Sequence, residues 1–333
     1  MTRDWREEAI ADYHVLLEFY ERYSGFELIA EGMRAGGPPP RSLSGTPLIL
    51  DVGPSPDDML AVTCSARTAP ELALVIAADH ETARLVRHLL NLLGRSDVPV
   101  TSASPQRAPR HRIPAGLIPG HIPAQPSDAV GAVARVCART TGPVRWVSTY
   151  SPATLAHTLA RDPQIAARLV ITLTGGTSER NRHDPLQRDV DAAHYVIATA
   201  TTLYLVTTTD TIAMRNGSDL HTHLAAACTA TGAGLVADHL AHWYDTVAPV
   251  IYLRAVLTLC AGLRKPFVTC TLRHPVRPHQ QGQMIPTPGV IPTPGMIPIP
   301  GVFPTAGAER RRIWTTRRVE AGFTSWIRHK AFR

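Results

Sequence analysis

The sequence predicts an α/β fold: a doubly wound, mostly parallel sheet with flanking helices, plus an N-terminal helical extension. Two observations carry this. From Pro47 onward, short apolar runs alternate with segments whose apolar residues recur at helical spacing, the pattern of strands joined by crossover helices. The first run, Leu48 to Leu50, also delivers acids into a Gly/Pro-rich turn, at a strand's carboxyl end where open parallel sheets place their ligands.

The elements follow in order. Trp5, Ile10, Tyr13, Leu16, Leu17 and Tyr20 fall at helical spacings, so residues 1–35 read as helical, and a Gly/Pro run from Gly36 to Pro40 ends them. The extension and its linker are assigned to residues 1–45, and the α/β domain to 46–333. Within the domain, Ala73–Ala77, Val98–Val100, Val144–Ser148, Leu169–Leu173 and Leu203–Val206 read as strands. Glu81–Leu93, Ala129–Arg139, Thr154–Ala160 and Ala192–Thr199 read as helices. Residues 101–126, rich in Pro, Arg and His, read as a long loop. At about 284–304 a repeat of the form Met284-Ile-Pro-Thr-Pro-Gly inserts a proline every two or three residues. Each proline lacks a backbone donor, so the segment is expected to be extended and exposed, either a tolerated expansion or a docking segment for a proline-recognising partner. Ile313–Val319 reads as an edge strand and Phe323–Ile327 as a closing helix.

Composition narrows the function. A formal charge of +7 over 333 residues suggests an acidic partner. The arginines are scattered, however, and nucleic-acid binding wants a clustered basic face with aromatics between. No apolar stretch is long and uncharged enough to span a membrane. Five cysteines without a CxxC pair read as small core residues in a cytoplasmic protein.

The chemistry is concentrated in Asp51-Val52-Gly53-Pro54-Ser55-Pro56-Asp57-Asp58. Adjacent acids in one turn repel unless a cation or hydroxyl groups take up their charge. The plain alternative is a helix cap, with Asp57 as N-cap and Asp58 in the first turn. The stretch resembles the signature of the inosine-uridine-type nucleoside hydrolases, Asp-x-Asp-Pro-Gly-x-Asp-Asp. Further segments resemble that family in order: His80 to Val100, Val144 to Ala156, Leu169 to Gly176, Asp189 to Val196, and Tyr244-Asp-Thr-Val-Ala-Pro-Val250.

The resemblance implies hydrolysis of the N-glycosidic bond of a nucleoside or related riboside. It implies a calcium ion held by Asp51, Asp58, the Thr149 carbonyl and Asp245, with Asp57 on a ribose hydroxyl. It also implies a homo-oligomer, a dimer or tetramer. The chain departs from the pattern at three places. Gly53 replaces the acid that binds calcium and activates water in the family, so calcium is expected to be weakly held or absent. Tyr244 replaces a histidine that protonates leaving groups, and is the acid candidate. Asp79 replaces a ribose-contacting asparagine. It is the candidate to restore the missing carboxylate, as a catalytic and substrate-binding group; the alternative is an N-cap before His80-Glu81-Thr82. Asn181 is the remaining sugar-binding candidate. The other reading is a catalytically altered homologue that binds a nucleoside-like ligand.

Overall fold

A computed structural model describes residues 43, 45–103, 113–175, 185–207, 212–230, 232–265, 267–273, 276–278, 284–286, 312–319 and 322–328. The chain divides into two units, Met1–Gly45 and Thr46–Arg333. The helices expected in residues 1–35, and most of the Pro/Gly repeat, lie outside the described residues.

The second unit opens with β1 (Leu48–Val52), α1 (Pro56–Thr68), β2 (Leu72–Ala77), α2 (His80–Leu92) and β3 (Val100–Ser102). Then come α3 (Ala129–Ala138), β4 (Val144–Ser148), α4 (Ala153–Arg161), β5 (Leu169–Thr174), α5 (Val190–Thr199) and β6 (Thr202–Val206). The alternation seen in the sequence is therefore real, with ends shifted by a few residues. The remainder comprises β7 (Ala213–Arg215), α6 (Asp219–Ala230), α7 (Gly234–Thr246), β8 (Val250–Tyr252), α8 (Arg254–Gly262), β9 (Val268–Arg273), β10 (Val276–Pro278), β11 (Met284–Pro286), β12 (Arg312–Val319) and α9 (Gly322–Trp326).

The main sheet has the order β3-β2-β1-β4-β5-β6-β12-β9. All neighbours in it run parallel except β12 and β9. The chain winds outward from β1 in one direction and from β4 in the other, so the topological switch lies between β1 and β4. β12 was expected at the sheet edge; instead it lies between β6 and β9, because β9 pairs antiparallel along its outer side. The start of the repeat, Met284–Pro286, pairs with Val276–Pro278 as a short antiparallel ribbon.

Both faces of the sheet are covered. Leu48, Leu50 and Val52 of β1 pack with residues of α1, α2, α7 and α8, while Ile49 joins Trp146 and residues of α3, α4 and α5 on the other face. This is the alternation of a strand buried on both sides. Cys64, Cys137, Cys228 and Cys260 are buried free thiols.

Helix starts are set by local chemistry. Ser55 caps α1 in a reciprocal box with Asp58, and Pro56 occupies a position whose N–H has no intrahelical acceptor. Asp79, Asp128 and Asp189 cap α2, α3 and α5 through Thr82 N, Gly131 N and Ala192 N. α8 differs: Leu253 stands at its cap and offers no side-chain acceptor. α8 lies against β4, with Gly262 at the closest approach. A Cβ there would sit 2.3 Å from Val147 Cγ2. Gly262→Ala is expected to destabilise the domain by about 1–3 kcal/mol through overpacking, read as a lower denaturation midpoint in urea.

Candidate functional site

A cavity of about 320 Å³ opens at the carboxyl ends of β1, β4 and β5. Its polar lining includes Ser55, Asp57, Asp58, Thr149, Tyr150, Thr174, Arg188 and Arg254. It borders the switch between β1 and β4, as expected for an open α/β sheet.

Asp58 lies in the first turn of α1 and is 4% exposed. Oδ2 accepts from Ser55 N at 3.1 Å and Ser55 Oγ at 2.7 Å. Oδ1 accepts from Thr149 Oγ1 at 2.5 Å. The Thr149 hydroxyl also lies 3.2 Å from Asp51 O, and Thr149 N donates to that carbonyl at 2.9 Å. Thr149 thus ties the end of β4 to both β1 and α1.

Asp57 faces the other way. Its carboxylate accepts from Ala255 N at 2.6 Å and Val256 N at 3.4 Å. These are N–H groups from the first turn of α8, which has no cap of its own. Asp57 therefore caps α8 from a distant part of the chain, with the helix dipole adding to the attraction. Asp51 sits behind the cavity wall, buried, and accepts from Ser148 Oγ at 3.0 Å.

Burial sets the electrostatics. Asp51 and Asp57 are each pushed up to about 8, first by desolvation; the nearby Asp58 charge raises both further. Desolvation raises Asp58 as well, against its hydrogen bonds to Ser55 and Thr149.

The remaining candidates do not join this cluster. Asp245 is exposed in the last turn of α7 and is not part of the cavity lining. Tyr244 is buried with its hydroxyl donating to Met214 O at 3.2 Å, its ring edge-on to His221, and its pKa pushed up to about 12 by burial. That placement gives it no route to a leaving group in the cavity. Asp79 is the N-cap of α2: Oδ1 accepts from Thr82 N at 2.7 Å, and the residue does not line the cavity. Asn181 lies outside the described residues. His239 of α7 is buried and does not line the cavity.

Among the lining residues that the sequence reading missed are Tyr150, Arg188 and Arg254; no local pattern gave warning of them.

Tyr150 explains Gly53. A Cβ on Gly53 would lie 2.3 Å from Tyr150 Cδ2, 2.9 Å from its Cγ and 2.8 Å from Asp58 Oδ2. Gly53 is not among the glycines with positive φ, so space rather than backbone conformation excludes a side chain there. The ring is held in turn by Arg188, whose Nη1 donates to Tyr150 Oη at 2.6 Å, with the guanidinium carbon 4.2 Å from the ring centroid. The residues present therefore do not fit a calcium ion. Position 53 brings no side-chain oxygen, Asp245 is exposed and outside the cavity lining, and the three buried carboxyl groups already accept from protein donors. Among the described residues no group of three or more His, Cys, Asp or Glu is arranged to hold a metal; calcium wants six to eight oxygens.

Known proteins with this architecture are nucleoside hydrolases and their kin. The inosine-uridine preferring nucleoside hydrolase of Bacillus anthracis superposes with a TM-score of 0.63 at 16% identity, covering 86% of this chain and 99% of the other. The purine-preferring ribonucleoside hydrolase of Gardnerella vaginalis gives 0.62 at 18%, covering 86% and 99%. The type III effector XopQ, solved with adenosine diphosphate ribose, gives 0.58 at 13%, covering 86% and 93%. The fold is thus that of the nucleoside hydrolases.

In sequence, the chain is 30% identical over 159 residues to the pyrimidine-specific ribonucleoside hydrolase RihA of Photobacterium profundum, a match covering 42% of this chain and 51% of that protein. The match spans about half the length of that relative. No family model matches. The chain thus shares the nucleoside hydrolase fold and, over part of its length, is similar in sequence to one ribonucleoside hydrolase. Among the described residues, no helix is long and apolar enough to cross a membrane.

Two outcomes test this geometry. Asp51 and Asp57 keep their protons to about pH 8 in the folded chain, against 3.8 for an ordinary aspartate. Between those values the folded state binds more protons than the unfolded state, so stability falls as pH rises from 4 to 8. Asp51→Asn should flatten that fall and raise the melting temperature at pH 8. Gly53→Asp should destabilise by about 1–3 kcal/mol, because the new side chain meets the Tyr150 ring. It should gain no calcium-dependent rise in melting temperature; such a rise would show that the ring yields to a cation.

Proposed function

We propose that the chain is a nucleoside-hydrolase-like N-glycosidase acting on a nucleoside or related riboside in this cavity, without calcium. The observation that supports it most directly is the buried Asp57-Asp58 pair, both members lining a cavity at the switch point of the sheet. The similarity of part of the chain to a ribonucleoside hydrolase supports the reaction class. A calcium ion would in principle lower the pKa of a bound water, but the donor set argues against one here.

The chain's own groups suggest the following chemistry. Each oxygen of Asp57, and Oδ1 of Asp58, accepts a single protein hydrogen bond, which leaves acceptor capacity for sugar hydroxyls. As the glycosidic bond lengthens, its electron pair leaves with the nitrogen and positive charge grows on the ribose. The buried Asp58 carboxylate opposes that charge strongly in a low dielectric. Water adds to the anomeric carbon and gives its proton to Asp58, which burial has made more basic than an exposed aspartate. Homo-oligomerisation, a dimer or tetramer, belongs to the same proposal and is read by light scattering.

A second reading, ligand binding without cleavage, is favoured by one observation: Tyr150 occupies the space over Gly53 where the family's water-activating acid would stand. The neighbour XopQ, solved with adenosine diphosphate ribose, illustrates this fold holding a ribosyl ligand.

The test is base and reducing-sugar release from a nucleoside panel, with calcium and with a chelator. Release is expected to be insensitive to the chelator, and Asp58→Asn should lower it by about 10²–10⁴-fold, the usual effect of losing a general base. Release that depends on calcium would overturn the calcium-free reading. Nucleosides that bind by calorimetry but are never cleaved would select the second reading.

A further inference from the structure

Two arginines line the cavity, Arg188 and Arg254, the second near enough to Asp57 to favour its charged form. Arg188 follows the single turn Pro185–Gln187, with its backbone N–H on Pro185 O at 3.2 Å. Its side chain lines the cavity and donates to the Tyr150 phenol, a neutral partner. Among the described residues it forms no ion pair, whereas Arg95, Arg135 and Arg145 each pair with a carboxylate. Arg254 lines the same cavity from the first residue of α8, its guanidinium carbon 5.1 Å from the Tyr252 ring centroid. Asp57 and Asp58 are the lining acids, and their oxygens are engaged by backbone and hydroxyl donors.

An arginine stacked on an aromatic ring has its planar fork fixed in direction. Such a fork matches two oxygens of one phosphate and is less costly to strip of water than an ammonium group. The Tyr150 ring packs directly against Gly53, where a Cβ would lie 2.3 Å from its Cδ2. The loss of a side chain at position 53 and the placement of Arg188 are therefore one arrangement: glycine admits the ring, and the ring supports the guanidinium. A volume of about 320 Å³ lies at the small end of ligand cavities, enough for a ribose and a phosphate.

Building on the reading of the cavity as a ribosyl site, we propose that its ligand carries a phosphate, with Arg188 as the phosphate's partner and Tyr150 as the residue that positions Arg188. The ligand class is a ribose phosphate or nucleotide rather than a bare nucleoside.

Calorimetry on the full chain with adenosine and adenosine 5′-monophosphate tests this, with inorganic phosphate as a control. The nucleotide is expected to bind at least about tenfold tighter than the nucleoside, the ratio that one charge-assisted hydrogen bond supplies. Arg188→Gln should bring that ratio close to one, and Arg188→Lys should keep part of it. A thermal melt of each variant establishes that it is folded. Equal affinities in the native chain, or a ratio that Arg188→Gln leaves intact, would overturn the phosphate proposal while adenosine binding upheld the ribosyl reading. If neither compound binds, or only inorganic phosphate does, the ribosyl reading falls and this inference with it.

Discussion

The architecture around the cavity depends on two adjacent carboxylates buried at the start of one helix. Asp58 holds its own turn closed through Ser55 and reaches across to Thr149 after β4. Asp57, one residue earlier, caps the helix that begins at Arg254. Three separate parts of the chain thus meet on two side chains. Burying neighbouring anions is unfavourable, and the raised pKa values of both express that cost. It is offset by hydrogen bonds from hydroxyl and backbone donors and by the positive ends of two helix dipoles.

The same wall shows how one missing side chain redirects a site. The signature that the chain resembles has an acid at this place; here Gly53 stands there, and the Tyr150 ring fills the volume. The ring brings an arginine with it, so a position that would carry negative charge is covered by a group supporting positive charge. A cation is then disfavoured twice, by the lost ligand and by the new guanidinium. The fold is retained because none of these changes touches the apolar faces of the sheet.

Much of this was legible in the sequence. Apolar runs such as Leu48–Leu50 and Leu169–Leu173 fix strands because only their burial offsets the cost of ordering the backbone. The caps at Asp79, Asp128 and Asp189 act within three residues, so sequence adjacency is enough to read them. The meeting of Asp58 and Thr149 follows from the order of the family motifs. The misplacement of Asp245 shows the limit: its local motif fitted, but α7 carries it to an exposed position, and the first turn of α8 stands at the cavity instead.

What the sequence determined by itself is therefore the alternating elements, the parallel sheet they imply, and the acids delivered to its switch point. These rest on periodicity and on hydrogen bonds spanning a few residues. Only the tertiary structure decided that β12 lies inside the sheet, that Asp57 caps a helix 198 positions away, and that Tyr150 and Arg188 close over Gly53. Each of these is a contact between segments distant in the chain. Such contacts are selected by shape and by the need to satisfy every buried polar group, which no local pattern records.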